Sequence, residues 1–189
     1  MSEPLSPSWV HEGTVRTIET NWLFQLRTER HRSRSTGIRH DYFVLEMADA
    51  VSVIAVTPDE RLLMVRQFRA GSRRDSLETP GGLLDVGEDP HEAAARELLE
   101  ETGHAGGPPQ HVCTVWSNPS LTTSRTITVV VPGVRPVARP RPDPEEELGL
   151  EWVCIADLPG LVASGVIDNA LVVAGLMTWL VARSGADRA

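Results

Sequence analysis

Between Gly82 and Gly103 the chain carries five glutamates, among them Glu88, Glu97, Glu100 and Glu101, and one arginine, Arg96, around an alanine-rich run. Side chains three and four apart share a helix face. A helix over this stretch therefore converges Glu97, Glu100 and Glu101 on one side while Ala94, Leu98 and Leu99 point elsewhere. Like charges at that spacing repel, and only a shared cation turns the arrangement into a gain; hard oxygen donors of this kind suit Mg²⁺ or Mn²⁺. Arg96 reaches Glu100 one turn on, and Glu88, just before the helix, can meet an arginine or the exposed amides of the first turn. Asp89-Pro90 opens the helix, with Pro90 near its first position and Gly103 at its end.

The bulk properties restrict the alternatives. At 189 residues the chain suffices for one well-buried domain with a small appendage. A net charge of -8 argues against nucleic acid as a partner, which needs a basic footprint. No apolar run reaches the length of a membrane span, and residues 1–13 lack the design of a signal peptide, so no membrane partner and a cytoplasmic location are expected. All 18 basic residues are arginine, which removes a Schiff-base lysine and the lysine of a P-loop. Phosphate contacts must come from arginine, backbone amides or a metal. Cys113 and Cys154 lie in apolar strand-like surroundings and read as small buried hydrophobes rather than a disulfide or metal pair.

Alternation predicts strands over 14–27 and 41–47, joined by a polar hairpin loop at 30–37, then a second hairpin of 50–56 and 61–68. Further strands are expected at 111–117, 125–131 and 150–155, the last after a proline-rich extended loop, 132–144. A short helix near 157–164 and a longer apolar one at 169–183 close the chain. Strands flanked by helices on both faces suggest an α/β/α sandwich with a mixed sheet.

The segment from Gly82 resembles the Nudix box, G-x5-E-x7-R-E-U-x-E-E-x-G-U with U bulky and apolar. Eight of the nine specified positions match, and His104 replaces the final apolar residue, which reads as packing variation. The resemblance continues through Arg66-Gln67-Phe68-Arg69, Leu77 to Gly82, Asn118-Pro119 and Gly165 to Ala170, strings similar to those of nucleoside-diphosphate-sugar hydrolases, and covers roughly 45–180. It implies the α/β/α Nudix sandwich for 46–189 and an antiparallel β arm for 1–45. In ADP-ribose pyrophosphatases such an arm serves dimer formation, so a homodimer is the implied partner; from the residues alone it reads equally as the edge hairpin of a monomer.

Carried over residue by residue, the metal ligands fall on Glu97, Glu100, Glu101 and the backbone carbonyl of Gly81, with Mg²⁺ or Mn²⁺ as cofactor, and Arg96 holds the ligands still. The implied reaction is metal-dependent hydrolysis of the diphosphate of a nucleoside diphosphate sugar, ADP-ribose to AMP and ribose 5-phosphate foremost. Pro119, sixteen residues after Gly103, matches a marker of ADP-ribose-like substrates; a proline before a strand also serves plain turns. Two alternatives stay open, a nucleoside triphosphate or dinucleoside polyphosphate hydrolase, and a non-catalytic module that senses a nucleotide sugar.

A general base is expected from the run Glu145-Glu146-Glu147, Glu147 first and Glu146 close behind, against the reading of such a run as solvated charge and a box glutamate as the base. Arg69 either grips a phosphate or forms a surface salt bridge. Glu78 matches a substrate-side or metal-side glutamate, and Arg125 is either a substrate contact or half of a structural ion pair. Trp22 and Phe24 are read as apolar packing under the arm, with adenine stacking as the alternative. The arginines between 27 and 39 read as a solvated hairpin before a phosphate-attracting patch.

Overall fold

The computed structural model describes residues 6–144 and 146–186. The described residues fall into two compact units, one drawn from 6–48 with 116–124 and one from 49–115 with 125–186.

The first unit is built on an antiparallel sheet of β1 (Trp9–Thr20), β2 (Phe24–Ser33) and β3 (Arg39–Met47). The continuous strand expected over 14–27 is instead broken by a tight turn. Asn21 accepts the backbone N–H groups of Leu23 (2.9 Å) and Phe24 (3.0 Å) on its side-chain oxygen, a local bond that competes with the ladder. Trp22 sits at this tip and is 89% exposed, so it does not pack under the arm as expected. The second turn is shorter than the loop predicted for 30–37, because Ser33 N–H still bonds Ile38 O at 2.9 Å. The hairpin arginines pair with acids on the same sheet, Arg30 with Asp41 and both Arg32 and Arg39 with Glu12. β3 is extended on its free side by Leu45, which exchanges backbone bonds with Leu121 and Thr123.

The second unit centres on a mixed six-stranded sheet of β4 (Ala50–Val56), β5 (Arg61–Arg69), β6 (Arg74–Glu78), β8 (Gln110–Trp116), β9 (Arg125–Pro132) and β11 (Gly149–Cys154). Its order is β11-β5-β4-β9-β8; β4 and β9 run parallel, and β6 adds antiparallel to the distal half of β5. β6 was absent from the expected strands. Helix α1 (Pro90–Thr102) lies on one face, and α2 (Leu158–Ala163) and α3 (Ala170–Ala186) on the other, while β7 (His104–Ala105) and β10 (Arg135–Pro136) form a small ribbon after α1.

Strand alternation divides the core in two. Val51, Val53, Ala55 and Leu63 pack with Ala93, Ala94 and Leu98 of α1, whereas Ile54, Val56, Leu62 and Met64 pack with Leu158, Val172, Leu176 and Trp179. This is the expected α/β/α layering. The low side-chain bulk of the alanines lets α1 sit close on β4, and Gly175 does the same for α3, since a Cβ there would lie 2.7 Å from the Thr128 hydroxyl. Of the cysteines, Cys113 is half-buried and Cys154 exposed; because β11 is an edge strand, the burial expected of Cys154 does not occur.

Candidate metal centre

The site begins where β6 ends. After Glu78 the chain leaves β5 and runs antiparallel beside β4, with Pro80 O accepting from Val53 N–H (2.8 Å) and Gly82 O from Val51 N–H (2.9 Å). The carbonyls flanking Gly81 are thus spent on β4, and the Gly81 carbonyl takes no part in that ladder. No side chain fits at Gly81, where a Cβ would stand 2.1 Å from the Val51 backbone O; one on Gly82 would stand 2.4 Å from Glu97 Oε1 and displace that carboxylate. The two glycines bring bare backbone against the carboxylate face of α1.

Asp89 caps α1 by accepting His91 N–H at 2.8 Å, Pro90 occupies the first turn, and Gly103 (φ 70°) closes the helix with its N–H on Leu99 O. The helix C-terminus leaves carbonyls that need donors. The proline-rich segment supplies them: Val137 and Ala138 N–H bond Gly103 O (2.9 and 3.0 Å), and Arg141 N–H bonds Glu100 O (2.6 Å). His104 supplies another, its Nδ1–H donating to Thr102 O at 2.7 Å while the buried ring packs edge-on against Trp152. The one mismatch in the box is therefore a helix-terminal donor as well as a packing residue.

Arg96 sits at the centre of the ligand scaffold. Its Nε and Nη2 donate to the two oxygens of Glu88 at 2.8 and 3.0 Å, and its Nη1 donates to Glu97 (2.8 Å) and Glu100 (3.2 Å). Glu88 also accepts Asp85 N–H at 3.0 Å. These bonds, the Arg96 guanidinium first, hold the Glu88 carboxyl down to about 2. Glu88 thus anchors the arginine, and the arginine orients Glu97 and Glu100.

Glu101 is only 2% exposed. Its Oε2 accepts Gly81 N–H at 3.0 Å, and its Oε1 is buried with no hydrogen-bond partner among the described residues. Burial pushes its carboxyl up to about 8, with the charges of Glu97 and Glu146 adding and the Gly81 N–H opposing. Burial likewise raises Glu97, against the Arg96 hydrogen bond and charge, with Glu100 and Glu146 adding to the rise. A buried carboxyl oxygen without a donor, on a helix that carries two further carboxylates, is a polar atom for which a cation would supply the missing partner. The donor set is all oxygen and fits a hard divalent cation held by Glu97, Glu100, Glu101 and the Gly81 carbonyl.

Beside this cluster, Arg69 at the end of β5 grips Glu78 through two bonds of 3.0 and 2.8 Å. Burial works to raise the Glu78 carboxyl, but Arg69, with Asn169 and Ser76, outweighs it and holds the group below its ordinary value. The charges of Glu101 and Glu146 also act on Arg69. Arg69 is half exposed, so the pair is neither of the two readings offered for it alone: it is a salt bridge, and it stands beside the carboxylate cluster.

Glu146, in a turn closed by its N–H on Asp143 O (2.9 Å), is the loop carboxylate whose charge reaches Glu97, Glu101 and Arg69; Glu147 is exposed in the same loop, and Glu145 lies outside the described residues. Arg125 bonds Asp49 through its backbone N–H (2.7 Å), Nε (3.1 Å) and Nη2 (2.6 Å), the ion-pair reading. Pro119 lies in the first unit, in the turn where Asn118 O accepts from Leu121 and Thr122. Sequence reasoning missed Asp49, whose only signal was an acid before β4, and Asn169, whose contact with Glu78 is non-local.

A family model described as the NUDIX domain matches residues 47–175. The chain is 34% identical over 163 residues to the ADP-ribose pyrophosphatase of Mycobacterium tuberculosis (strain ATCC 25618 / H37Rv), covering 85% of this chain and 78% of that one. It is 39% identical over 104 residues to the ADP-sugar pyrophosphatase of Mus musculus, about half of each chain (49% and 48%). The crystal structure of an ADP compounds hydrolase superposes over 100% of both chains with a TM-score of 0.83 at 24% identity, a likeness of fold.

Proposed function

The chain belongs to the Nudix hydrolase family, and from that premise we propose that it hydrolyses the diphosphate of a nucleoside diphosphate sugar, ADP-ribose foremost, with Mg²⁺ or Mn²⁺ as cofactor. The observation that carries the reading is the orphaned, buried Oε1 of Glu101, a residue held by the Gly81 backbone and within reach of the Glu97 charge. Glu97, Glu100, Glu101 and the Gly81 carbonyl would hold the ion, which when bound would supply charge to offset the phosphoryl oxygens and to acidify a water.

The chain's own residues do the remaining work by positioning, as phosphoryl transfer demands. Arg96 fixes the rotamers of Glu97 and Glu100, with Glu88 holding Arg96 in turn. Gly81 N–H fixes Glu101. Arg69, clamped on one edge by Glu78, offers its remaining donors to a phosphate, since the chain has no lysine to do so. The proton acceptor for the attacking water comes from the loop before β11; the reach of the Glu146 charge to Glu97 and Glu101 favours Glu146 over Glu147. Glu97 and Glu101 serve as ligands rather than bases in this scheme. Arg125, spent on Asp49, shapes the start of β9 instead of touching substrate.

The ADP-ribose preference rests on the names of the relatives and on Pro119. The homodimer reading draws on the exposed apolar side chains of the arm, Val15, Ile18, Ile38 and Phe43, which a second copy would cover. A cytoplasmic location fits the substrate; among the described residues no helix is long and apolar enough to cross a membrane. The test is a panel of nucleotide sugars, dinucleotides and triphosphates assayed with Mg²⁺ or Mn²⁺. Turnover of ADP-sugars above the rest is expected, and activity confined to triphosphates would remove the substrate assignment.

A further inference from the structure

The polar face of the arm carries a second constellation that the diphosphate chemistry does not use. His11 on β1 pairs in register with His31 on β2, and Glu29 stands two residues before His31 on the same strand face. The Nε2 atoms of both histidines point at one oxygen, Glu29 Oε2, at 3.5 Å from His11 and 3.3 Å from His31. All three ligand atoms lie within 4.8 Å of one another.

We propose that His11, Glu29 and His31 form a transition-metal site, separate from the helix site, that clips β1 to β2. The spacing fits the ion. With bonds of about 2.0–2.2 Å to nitrogen and oxygen, the edges of a tetrahedral zinc site are about 3.3–3.5 Å. The two histidine-to-glutamate separations fall in that range before any adjustment. Two imidazoles and a carboxylate select a borderline ion such as Zn²⁺ or Co²⁺, not Mg²⁺.

The surroundings are those of a supported ligand set. Glu29 is 9% exposed, and Arg27 Nε holds its other oxygen at 2.7 Å, leaving Oε2 turned to the histidines. Arg27 also pairs with Glu46, so its guanidinium is shared between two carboxylates. The His31 ring is set edge-on by Tyr42 at 5.4 Å. His11 is half exposed, which leaves the outer side open to a water or a further ligand.

The experiment is a titration of tag-free, chelator-stripped protein with Zn²⁺ by calorimetry and with Co²⁺ by visible absorption. It is run in a Glu97→Gln/Glu101→Gln background and, in parallel, on wild type with excess Mg²⁺, so that the helix site does not contribute. One ion per chain is expected, with the intense absorption of four-coordinate Co²⁺ and a Zn²⁺-dependent rise in thermal midpoint. His11→Gln/His31→Gln should weaken binding by at least about 100-fold, the upper end of what losing an outer partner alone does. Glu29→Gln, which keeps the size of the side chain, should weaken it too. Metal uptake unchanged in both variants, or none at micromolar Zn²⁺ in the parent, would overturn the site. Neither result bears on the diphosphatase reading, which rests on α1.

Discussion

Replacing Glu101 by Gln should make the metal-free protein more stable in alkaline solution and leave the comparison unchanged in acid. The folded chain holds the Glu101 carboxyl at about 8 against 4.5 for an exposed glutamate, because burial disfavours the charged form. The folded state therefore binds more protons than the unfolded state between those values, and stability falls as pH rises through that window. The contribution is fully present below pH 4.5 and is lost above pH 8. At about 1.4 kcal/mol per pH unit, the limit is about 5 kcal/mol, and relaxation and water entry bring the expectation to about 2–4 kcal/mol. Glutamine keeps an acceptor for Gly81 N–H and cannot ionise; any cost of burying its amide is the same at both pH values and cancels. Urea unfolding of wild type and Glu101→Gln in chelator, at pH 5 and pH 8.5, measures the difference. A wild-type deficit at pH 8.5 that disappears at pH 5 is expected. An equal gap at both pH values would refute the buried-charge reasoning. Added Mn²⁺ should reverse the wild-type deficit and leave the variant unmoved, since a ligand stabilises only the state that binds it.

Other substitutions separate scaffold from chemistry. Gly82→Ala places a methyl 2.4 Å from Glu97 Oε1, the mobile end of a side chain; turnover should fall roughly 10- to 100-fold with under about 1 kcal/mol lost in unfolding, as for a misplaced ligand. Arg69→Ala strands the buried Glu78 carboxylate and should cost about 2–4 kcal/mol, discounted for the exposure of Arg69, with Glu78→Gln restoring part in the double variant by thermal melts. Glu146→Gln should depress kcat at constant pH, whereas Glu147→Gln should leave it near wild type.

The helix and its carboxylate face were readable because they are local. Asp89, Pro90 and Gly103 cap the helix through short-range bonds, and the three- and four-residue spacing of the glutamates decides which share a face. What escaped reading depends on distant partners or on unmarked turns. β6 is a five-residue strand with charged ends whose register comes only from β5. The turn at Asn21 has no glycine or proline, and its apolar neighbours Trp22 and Leu23 continue a strand pattern. The choice between Glu146 and Glu147 depends on how the proline-rich segment docks on the carbonyls at the end of α1, through Arg141 N–H among others. His104 looked like a weakened packing position because its bond to Thr102 O requires the helix to end where it does.

The central claim is that α1 and Gly81 hold a divalent ion for diphosphate hydrolysis. Its most direct measurement is AMP release from ADP-ribose by chelator-treated wild type and Glu101→Gln, with and without restored Mg²⁺ or Mn²⁺. AMP and ribose 5-phosphate in equal amounts, from wild type alone and only with the ion, are predicted. Release that survives chelation, or that is equal in the variant, would contradict it.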